Sequence, residues 1–576
     1  MKITIIIFTI INSIICNNYY FLQHKPVFAV SQSQLSQKSA EADKLSKEGM
    51  LEAEKGAFEV AIKLWLKALE IYREIKDSRG EAWTLNYLAF GNHSLSRYKA
   101  SIYYSEASLK IAIKLGDNRL KKEAETNLGL AQYVYTNPVG GKGTLRKAGK
   151  NWRFLLELSE WGRTRAFVQS LSSQLSLNSI EPITIQQIQQ IAKEQNATLV
   201  EYSLRSKYSR NGTEVKSEET EIYIWIIKPN GTVVFKSVDI KSLKGVIPID
   251  NLIADMRISI GARGRRATIG LKPAIEIPIK SDFHQEQNLK RLYKLLIQPI
   301  ADLLPEDPKE RVIFIPDKSL FLVPFPALQD AHGKYLISKH TVLTAPSIQV
   351  LDLTKKQRVK VEQANLQGAV VVGNPTMPKV TIKLGDPPQQ LKSLPAAERE
   401  AILIGKLLDT KPFTGVEASK TKIVPKLSQA RIIHLATHGL LDDFKGLGIP
   451  GAIALAPSGN GKTNDGLLTA NEILDLKLNA ELVVLSACDT GRGRITSDSV
   501  IGLSRSLIIA GASSVVVSLW SVPDAPTAEL MSEFYRNWLD GKLDKAQALR
   551  QAMLTTMKKR PNPRNWAAFT LIGETK

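Results

Sequence analysis

From Glu41 to Tyr135 apolar residues recur at helical spacing, and the stretch repeats itself at an offset of 40 residues. Gly56 to Ile62 (GAFEVAI) lines up with Ser96 to Ile102 (SRYKASI), Ala68 to Ile71 with Ser108 to Ile111, and Asp77-Ser78-Arg79 with Asp117-Asn118-Arg119. Small residues at fixed places let paired helices approach, an aromatic at Phe58 or Tyr98 wedges the turn, and Leu, Ile and Ala stripes fill the stack. A helical cap is predicted over Trp152 to Leu177, and Tyr135 to Gly149 breaks the period. After Pro182 the pattern changes to short apolar runs alternating with amphipathic stretches. Strands are predicted at Thr198–Ser203, Glu221–Lys228, Val312–Pro316, Gly368–Val372, Ala430–Ala436, Gly451–Ala456, Glu481–Ser486, Ser513–Trp520 and Ala568–Ile572. Runs such as VVVG, LVVLS and SVVVSL are continuously apolar, as parallel strands buried on both faces require. Helices are predicted at Glu398–Leu408, Ala470–Leu476, Ser499–Ala510, Thr527–Leu539 and Lys545–Lys559. The expected fold class is α followed by α/β: a helical solenoid, then a domain with a mostly parallel central sheet flanked by helices. Ligands of such sheets sit beyond the carboxyl ends of the strands.

A chain of 576 residues is too long for one hydrophobic core, and 43% hydrophobic with 23% charged residues excludes a disordered, collagen-like or multi-span membrane chain. The net charge of +21 favours acidic partners, but no Lys/Arg stripe interleaved with aromatics accompanies it, so nucleic acid is not expected. Met1-Lys2 followed by the apolar run Ile3 to Ile15 reads as a leader, with Val27-Phe28-Ala29 supplying a cleavage site after Ala29. An exported chain, periplasmic or extracellular, is expected, held to a membrane only if the leader at 1–29 stays on. Lipid attachment at Cys16 is the alternative, although Ile15 stands where such sites want a small residue. The two cysteines, Cys16 and Cys488, exclude a disulfide scaffold and a zinc site built mainly from thiolates. No metal or cofactor is expected.

Two strands run directly into chemistry. Arg431 to Gly439 (RIIHLATHG) ends at His438-Gly439, and Leu482 to Gly491 (LVVLSACDTG) passes into Cys488. Cys488 follows His438 by 50 residues, an order and spacing similar to those of caspases. If the strands are neighbours, the imidazole and the thiol share one edge of the sheet. The N–H groups of Gly439 and Cys488 then offer an oxyanion hole. The competing reading of Cys488 is a buried structural thiol. His434, inside the strand, is read as a packed histidine, and His93, His284, His332 and His340 as ordinary ones. Ala456 to Thr463 (APSGNGKT) nearly spells a phosphate-binding loop, but Asn464-Asp465-Gly466 breaks the helix that such a loop must open, so it reads as a surface turn. Arg257 to Gly270 (RISIGARGRRATIG) reads as a mobile basic loop open to proteases.

The first repeated region resembles the tetratricopeptide repeat in its longer form, over 40–136, with a cap and linker at 137–184. The two loops above, with Pro316 to Leu328 (PDKSLFLVPFPAL) upstream and Ser518 to Asp524 (SLWSVPD) downstream, resemble the CHAT domain over 185–576. That family is caspase-like, related to separases, gingipains and legumains, and often follows tetratricopeptide repeats in bacteria. The resemblance implies a His438/Cys488 cysteine endopeptidase acting on a protein or peptide. It also implies that Asp524, at the acidic position of a separase-like Leu-Trp-x-Val-x-Asp stretch, reads a Lys or Arg side chain of the substrate. Asp524 equally suits an N-cap for the helix beginning near Ala525-Pro526. The alternative function is a non-catalytic scaffold in which the repeats bind a partner.

Overall fold

The computed structural model describes residues 32–575 apart from 55–56, 96, 118, 122, 126, 129–130, 132–151, 154, 158, 161–182, 212–213, 241–247, 262–280, 382–386, 441–450, 460–463, 487–496 and 521. The chain divides into two compact units, residues 1–148 and 149–576.

The first unit is a stack of antiparallel helices that includes α1 (Gln32–Glu54), α2 (Phe58–Glu74), α3 (Ser78–Ser94) and α4 (Tyr98–Leu115). The fully buried Trp65 of α2 is its wedge, donating from its indole N–H to the Ser46 carbonyl at 3.2 Å. Gly49 makes room for it, since a Cβ there would lie 2.4 Å from the Trp65 ring nitrogen. The offset of 40 has a geometric counterpart. Asp77 caps α3 by accepting the N–H groups of Arg79 and Gly80, and Asp117 accepts that of Leu120 at 3.0 Å. Arg79 then reaches the Asp117 carboxylate at 2.8 Å, tying the two caps together.

The second unit contains two sheets. The first has the order β3-β2-β1-β4-β5, with β1 (Ala197–Asn211), β2 (Glu214–Ile227), β3 (Val233–Asp239), β4 (Arg311–Ile315) and β5 (Thr341–Thr344). Helices α5 (Ile185–Gln195) and α6 (Ile249–Ser259) belong to this part. The stretch Pro316 to Leu328 folds back onto this sheet, where Phe325 stacks on Phe314 at 4.3 Å between ring centres. Residues 152–160 are held here too: the buried Glu160 carboxylate accepts the N–H groups of Ile348 and Gln349, each at 3.0 Å, at the start of α7 (Ile348–Ala364).

The second, central sheet has the order β16-β15-β14-β10-β6-β9. Its strands are β6 (Gly368–Pro375), β9 (Phe413–Gly415), β10 (Ala430–Ala436), β14 (Leu482–Leu485), β15 (Ser514–Ser518) and β16 (Phe569–Gly573). All neighbours are parallel except β15 and β16. Strands β14 and β15 are buried from end to end, as two covered faces require. A β7–β8 hairpin (Lys379–Val380, Gln389–Gln390) and a small antiparallel sheet of β11 (Gly439–Leu440), β12 (Ala452–Ala454) and β13 (Leu467–Thr469) lie beside it in the chain. Helices α8 (Pro395–Leu407), α9 (Ser497–Ala510), α10 (Asp524–Leu539) and α11 (Lys545–Lys559) are among those that belong to this unit.

Gly373 sets how closely α8 lies on the sheet: a Cβ there would meet the Ala401 Cβ at 2.3 Å and the Ala397 carbonyl oxygen at 2.5 Å. One expectation is corrected. Arg257 does not lie in an exposed loop; it is buried in the last turn of α6, donating to the Leu519 carbonyl at 2.8 Å and, more weakly, to the Leu322 carbonyl at 3.4 Å. Burial pulls its guanidinium down to about 10. The remainder of that basic stretch, from Ala262, lies outside the described residues.

Candidate active site

Strands β10 and β14 run side by side and parallel, with Ile432 to Leu435 in register with Leu482 to Leu485. The register is pinned where the strands start. The Glu481 N–H donates to the Arg431 carbonyl at 2.7 Å, and the Arg431 and Glu481 side chains pair at 2.6 Å. Because parallel neighbours lie roughly 4.8 Å apart and Leu435 is paired with Leu485, both chains reach the same edge side by side.

Beyond Ala436 the chain is anchored to β12. The Thr437 hydroxyl donates to the Ala454 carbonyl at 2.7 Å, and the His438 carbonyl accepts the Ala454 N–H at 2.9 Å. His438 is 1% exposed, and its Nε2 lies 2.7 Å from the Lys392 carbonyl oxygen. A carbonyl can only accept, so Nε2 carries the proton, and Nδ1 of the neutral ring holds the free lone pair. That is the arrangement a general base needs. The hydrogen bond from Ala454 to His438 also makes Gly439 and Ile453 a non-hydrogen-bonded pair of the antiparallel ladder. The Gly439 N–H is therefore directed away from β12, and β11 is the outer strand of its sheet.

Lys392 sits in the short link between β8 and α8. Apolar burial fixes this link over the strand end: Met377, Val380, Leu391 and Leu394 form one cluster with Ala436 of β10 and Ala452 and Ala454 of β12. The Lys392 carbonyl is an orienting group for the His438 ring. A main-chain oxygen carries no residue-type signature, so no motif search finds it.

His434 is the packed strand histidine expected from its place inside β10. It is fully buried, with Nε2 2.9 Å from Glu400 of α8 and Nδ1 3.3 Å from the Tyr535 hydroxyl of α10. Burial, with the Glu400 charge adding to it, raises the Tyr535 phenol well above its ordinary range, so this hydroxyl stays protonated. Cys488, with its N–H, falls within 487–496 and lies outside the described residues. Helix α10 begins at Asp524 itself, with Pro523 in the capping position. Asp524 is thus the first helical residue rather than the residue before the helix, and its side chain lies outside what the structure describes. At the phosphate-loop lookalike, the N–H groups of Ser458 and Gly459 donate to Asp465 at 2.9 and 3.0 Å, and strand β13 follows it. Among the described residues no cluster of three or more His, Cys, Asp or Glu could hold a metal ion, and no helix is long and apolar enough to cross a membrane.

Helical repeats followed by a mixed α/β domain with a mostly parallel central sheet define the class of this protein. The CHAT domain profile matches residues 286–574, half of the chain, and the chain belongs to the CHAT domain family. It is 31% identical over 339 residues to Tetratricopeptide repeat protein 28 of Homo sapiens, covering 52% of this chain and 13% of that protein. The Mus musculus protein of the same name is 30% identical over 346 residues, covering 52% of this chain and 14% of the relative. The chain thus spans about one-seventh of the length of these relatives. Among solved structures, the Saccharomyces cerevisiae separase–securin complex aligns over 94% of this chain and 48% of that one, with 10% identity and a TM-score of 0.39. The Arg-specific cysteine proteinase gingipain R aligns over 58% of this chain and 75% of its own, with 12% identity and a TM-score of 0.31.

Proposed function

We propose that the protein is a cysteine endopeptidase of caspase and separase type, with His438 as base and Cys488 as nucleophile. The observation that carries the reading is the register of the two strands. His438 and Cys488 each follow by three residues a member of the same in-register pair, Leu435 and Leu485, on adjacent parallel strands. In this mechanism His438 Nδ1 takes the thiol proton and the thiolate attacks the scissile carbonyl. The tetrahedral oxyanion is held by the N–H groups of Gly439 and Cys488. Collapse breaks the C–N bond, the imidazolium returns its proton to the leaving amine, and water hydrolyses the thioester. An adjacent base is required because a thiol of pKa ~8.5 is only a few per cent thiolate at neutral pH. Supporting the base role, the Lys392 carbonyl leaves Nδ1 of the neutral ring as the acceptor. Supporting the oxyanion role, the Gly439 N–H takes no part in the β11–β12 ladder.

Asp524 is assigned to recognition of a Lys or Arg side chain, the repeats to binding a partner or the substrate, and the leader at 1–29 to export. A second reading, a non-catalytic repeat scaffold, is favoured by the name of two relatives that the chain resembles in sequence, Tetratricopeptide repeat protein 28 of Homo sapiens and of Mus musculus. The deciding experiment profiles a peptide library with the purified full chain, its Cys488→Ala variant and its His438→Ala variant. Cleavage after basic residues by the parent, falling to background in both variants, is the expected result. Equal activity in the Cys488→Ala variant would leave the scaffold.

A further inference from the structure

The Lys392 carbonyl is a useful partner for His438 only if the main chain around it is held still, and its own link is short and outward-facing. Lys392 and Ser393 are exposed, and neither belongs to a strand or helix. Two main-chain anchors lie on either side. Before Lys392, the Leu391 N–H donates to the Pro378 carbonyl at 3.2 Å. After it, a single side-chain oxygen takes two donors: Asn374 Oδ1 accepts the Leu394 N–H at 2.7 Å and the Ser393 hydroxyl at 3.1 Å. The other end of the same amide donates from Nδ2 to the Glu398 carboxylate in the first turn of α8, at 3.1 Å. These contacts fix the amide's orientation, because a carboxylate needs a donor while an N–H needs an acceptor.

Asn374 stands where such a group can act on the neighbouring strand. Gly373, immediately before it, is in register with Ala436, two residues short of His438. Its own backbone is left-handed, with φ of 45°, a conformation that asparagine tolerates better than most residues.

We infer that Asn374 is a positioning residue for the His438 imidazole, acting through the main chain at Lys392. The inference rests on the reading of His438 as the base. The amide ties the end of β6, the link carrying the carbonyl and the first turn of α8 into one unit, so that the acceptor for Nε2–H does not drift. Misplacement of a catalytic group by about 1 Å costs on the order of 100-fold in rate, and substrate binding is untouched because Asn374 reaches the imidazole only through other atoms.

The test uses the full chain labelled with 15N at histidine, the His438 signals being assigned by their loss in a His438→Gln variant. In the parent a protected Nε2–H resonance of His438 is expected at neutral pH. Asn374→Gly, which accepts the backbone conformation but removes the amide, is expected to speed its exchange with water at least tenfold. With it, kcat should fall about 10–100-fold while KM stays within about twofold. The double variant Asn374→Asp, Glu398→Gln exchanges donor for acceptor along the same bonds and is expected to restore the protected signal and most of kcat. An unchanged Nε2–H in Asn374→Gly overturns the inference, as does a double variant that remains as impaired as the single one. If the parent cleaves nothing yet the Nε2–H is protected and lost as described, the peptidase reading fails and the positioning role of Asn374 stands.

Discussion

Replacing Gly373 with alanine adds one methyl group at a place where helix α8 lies against the central sheet. The new Cβ would sit 2.3 Å from the Ala401 Cβ and 2.5 Å from the Ala397 carbonyl oxygen, whereas unstrained carbon atoms keep ~3.5–4.0 Å apart. The strand cannot retreat, because Gly373 is in register with Ala436 on one side and Thr414 on the other. One of the colliding atoms is helix backbone, so no rotamer change relieves it, and α8 must move by about 1 Å. Overpacking of this kind costs ~1–3 kcal/mol, and a backbone clash belongs at the upper end. Against it stands a gain of ~0.4–1 kcal/mol from the smaller freedom of alanine in the unfolded chain. A net loss of about 2 kcal/mol is expected, read as a lower midpoint of urea unfolding at unchanged slope. Adding Ala401→Gly removes the nearer contact and leaves the Ala397 carbonyl in place, so it should recover part of the loss. Stability within about 0.5 kcal/mol of the parent would show that α8 does not lie against Gly373 as described.

His434 and His438 should part company under substitution. His434→Leu strands the Glu400 carboxylate, itself 2% exposed, without its ring partner, and should cost ~3–5 kcal/mol in unfolding free energy while the remaining folded protein keeps its KM. A His434→Leu protein as stable as the parent would refute the pairing. His340 is buried, and burial first, with the charges of Lys339 and Arg550 adding to it, pushes it down from 6.5 to about 4. The unfolded chain therefore takes up this proton more readily than the folded one. The contribution of His340 is complete above about pH 6.5 and is lost as the pH falls towards 4. Some 2–3 kcal/mol is at stake once partial solvent screening is allowed for. Stability measured from pH 7 to 4 should fall less steeply in His340→Phe; parallel curves would remove His340 as the cause.

The parts of this fold that could be read directly were those where burial leaves one residue type everywhere. The run at 430–436 emerges as β10 with the expected ends, and VVVG, LVVLS and SVVVSL mark β6, β14 and β15 because both faces of each strand are covered. Strand β3 carries no clear signal because its residues are only half-buried and alternate imperfectly, and β5 because threonines at both of its ends leave only Val342 and Leu343 as an apolar run. Helix α7 carries Ile and Val among many polar positions, which blurs its period. The basic stretch after Arg257 looked like a loop because its composition is that of one. What buries Arg257 is a carbonyl 262 residues further along, which local pattern cannot reveal. At the candidate site, His438 and Gly439 announced themselves by residue type at a strand end. Asn374 had a weaker signal of the same kind, a polar side chain directly after an apolar strand run, but its effect passes through main-chain atoms that any residue supplies.

The guanidinium of Arg257 joins pieces that the boundaries of the family match would separate. It comes from a helix that precedes residue 286, and it holds the carbonyl of Leu519 beyond β15 of the central sheet. Strands β1, β2 and β3 also precede that residue, and β1 is the middle strand of its sheet, flanked by β2 and β4. A fragment cut at 286 would leave one flank of β4 as a raw edge and the Leu519 oxygen without its cation. The stretch most diagnostic of the family is therefore shorter than the piece of chain that can stand by itself, and anyone trimming or transplanting this domain should carry the earlier strands with it.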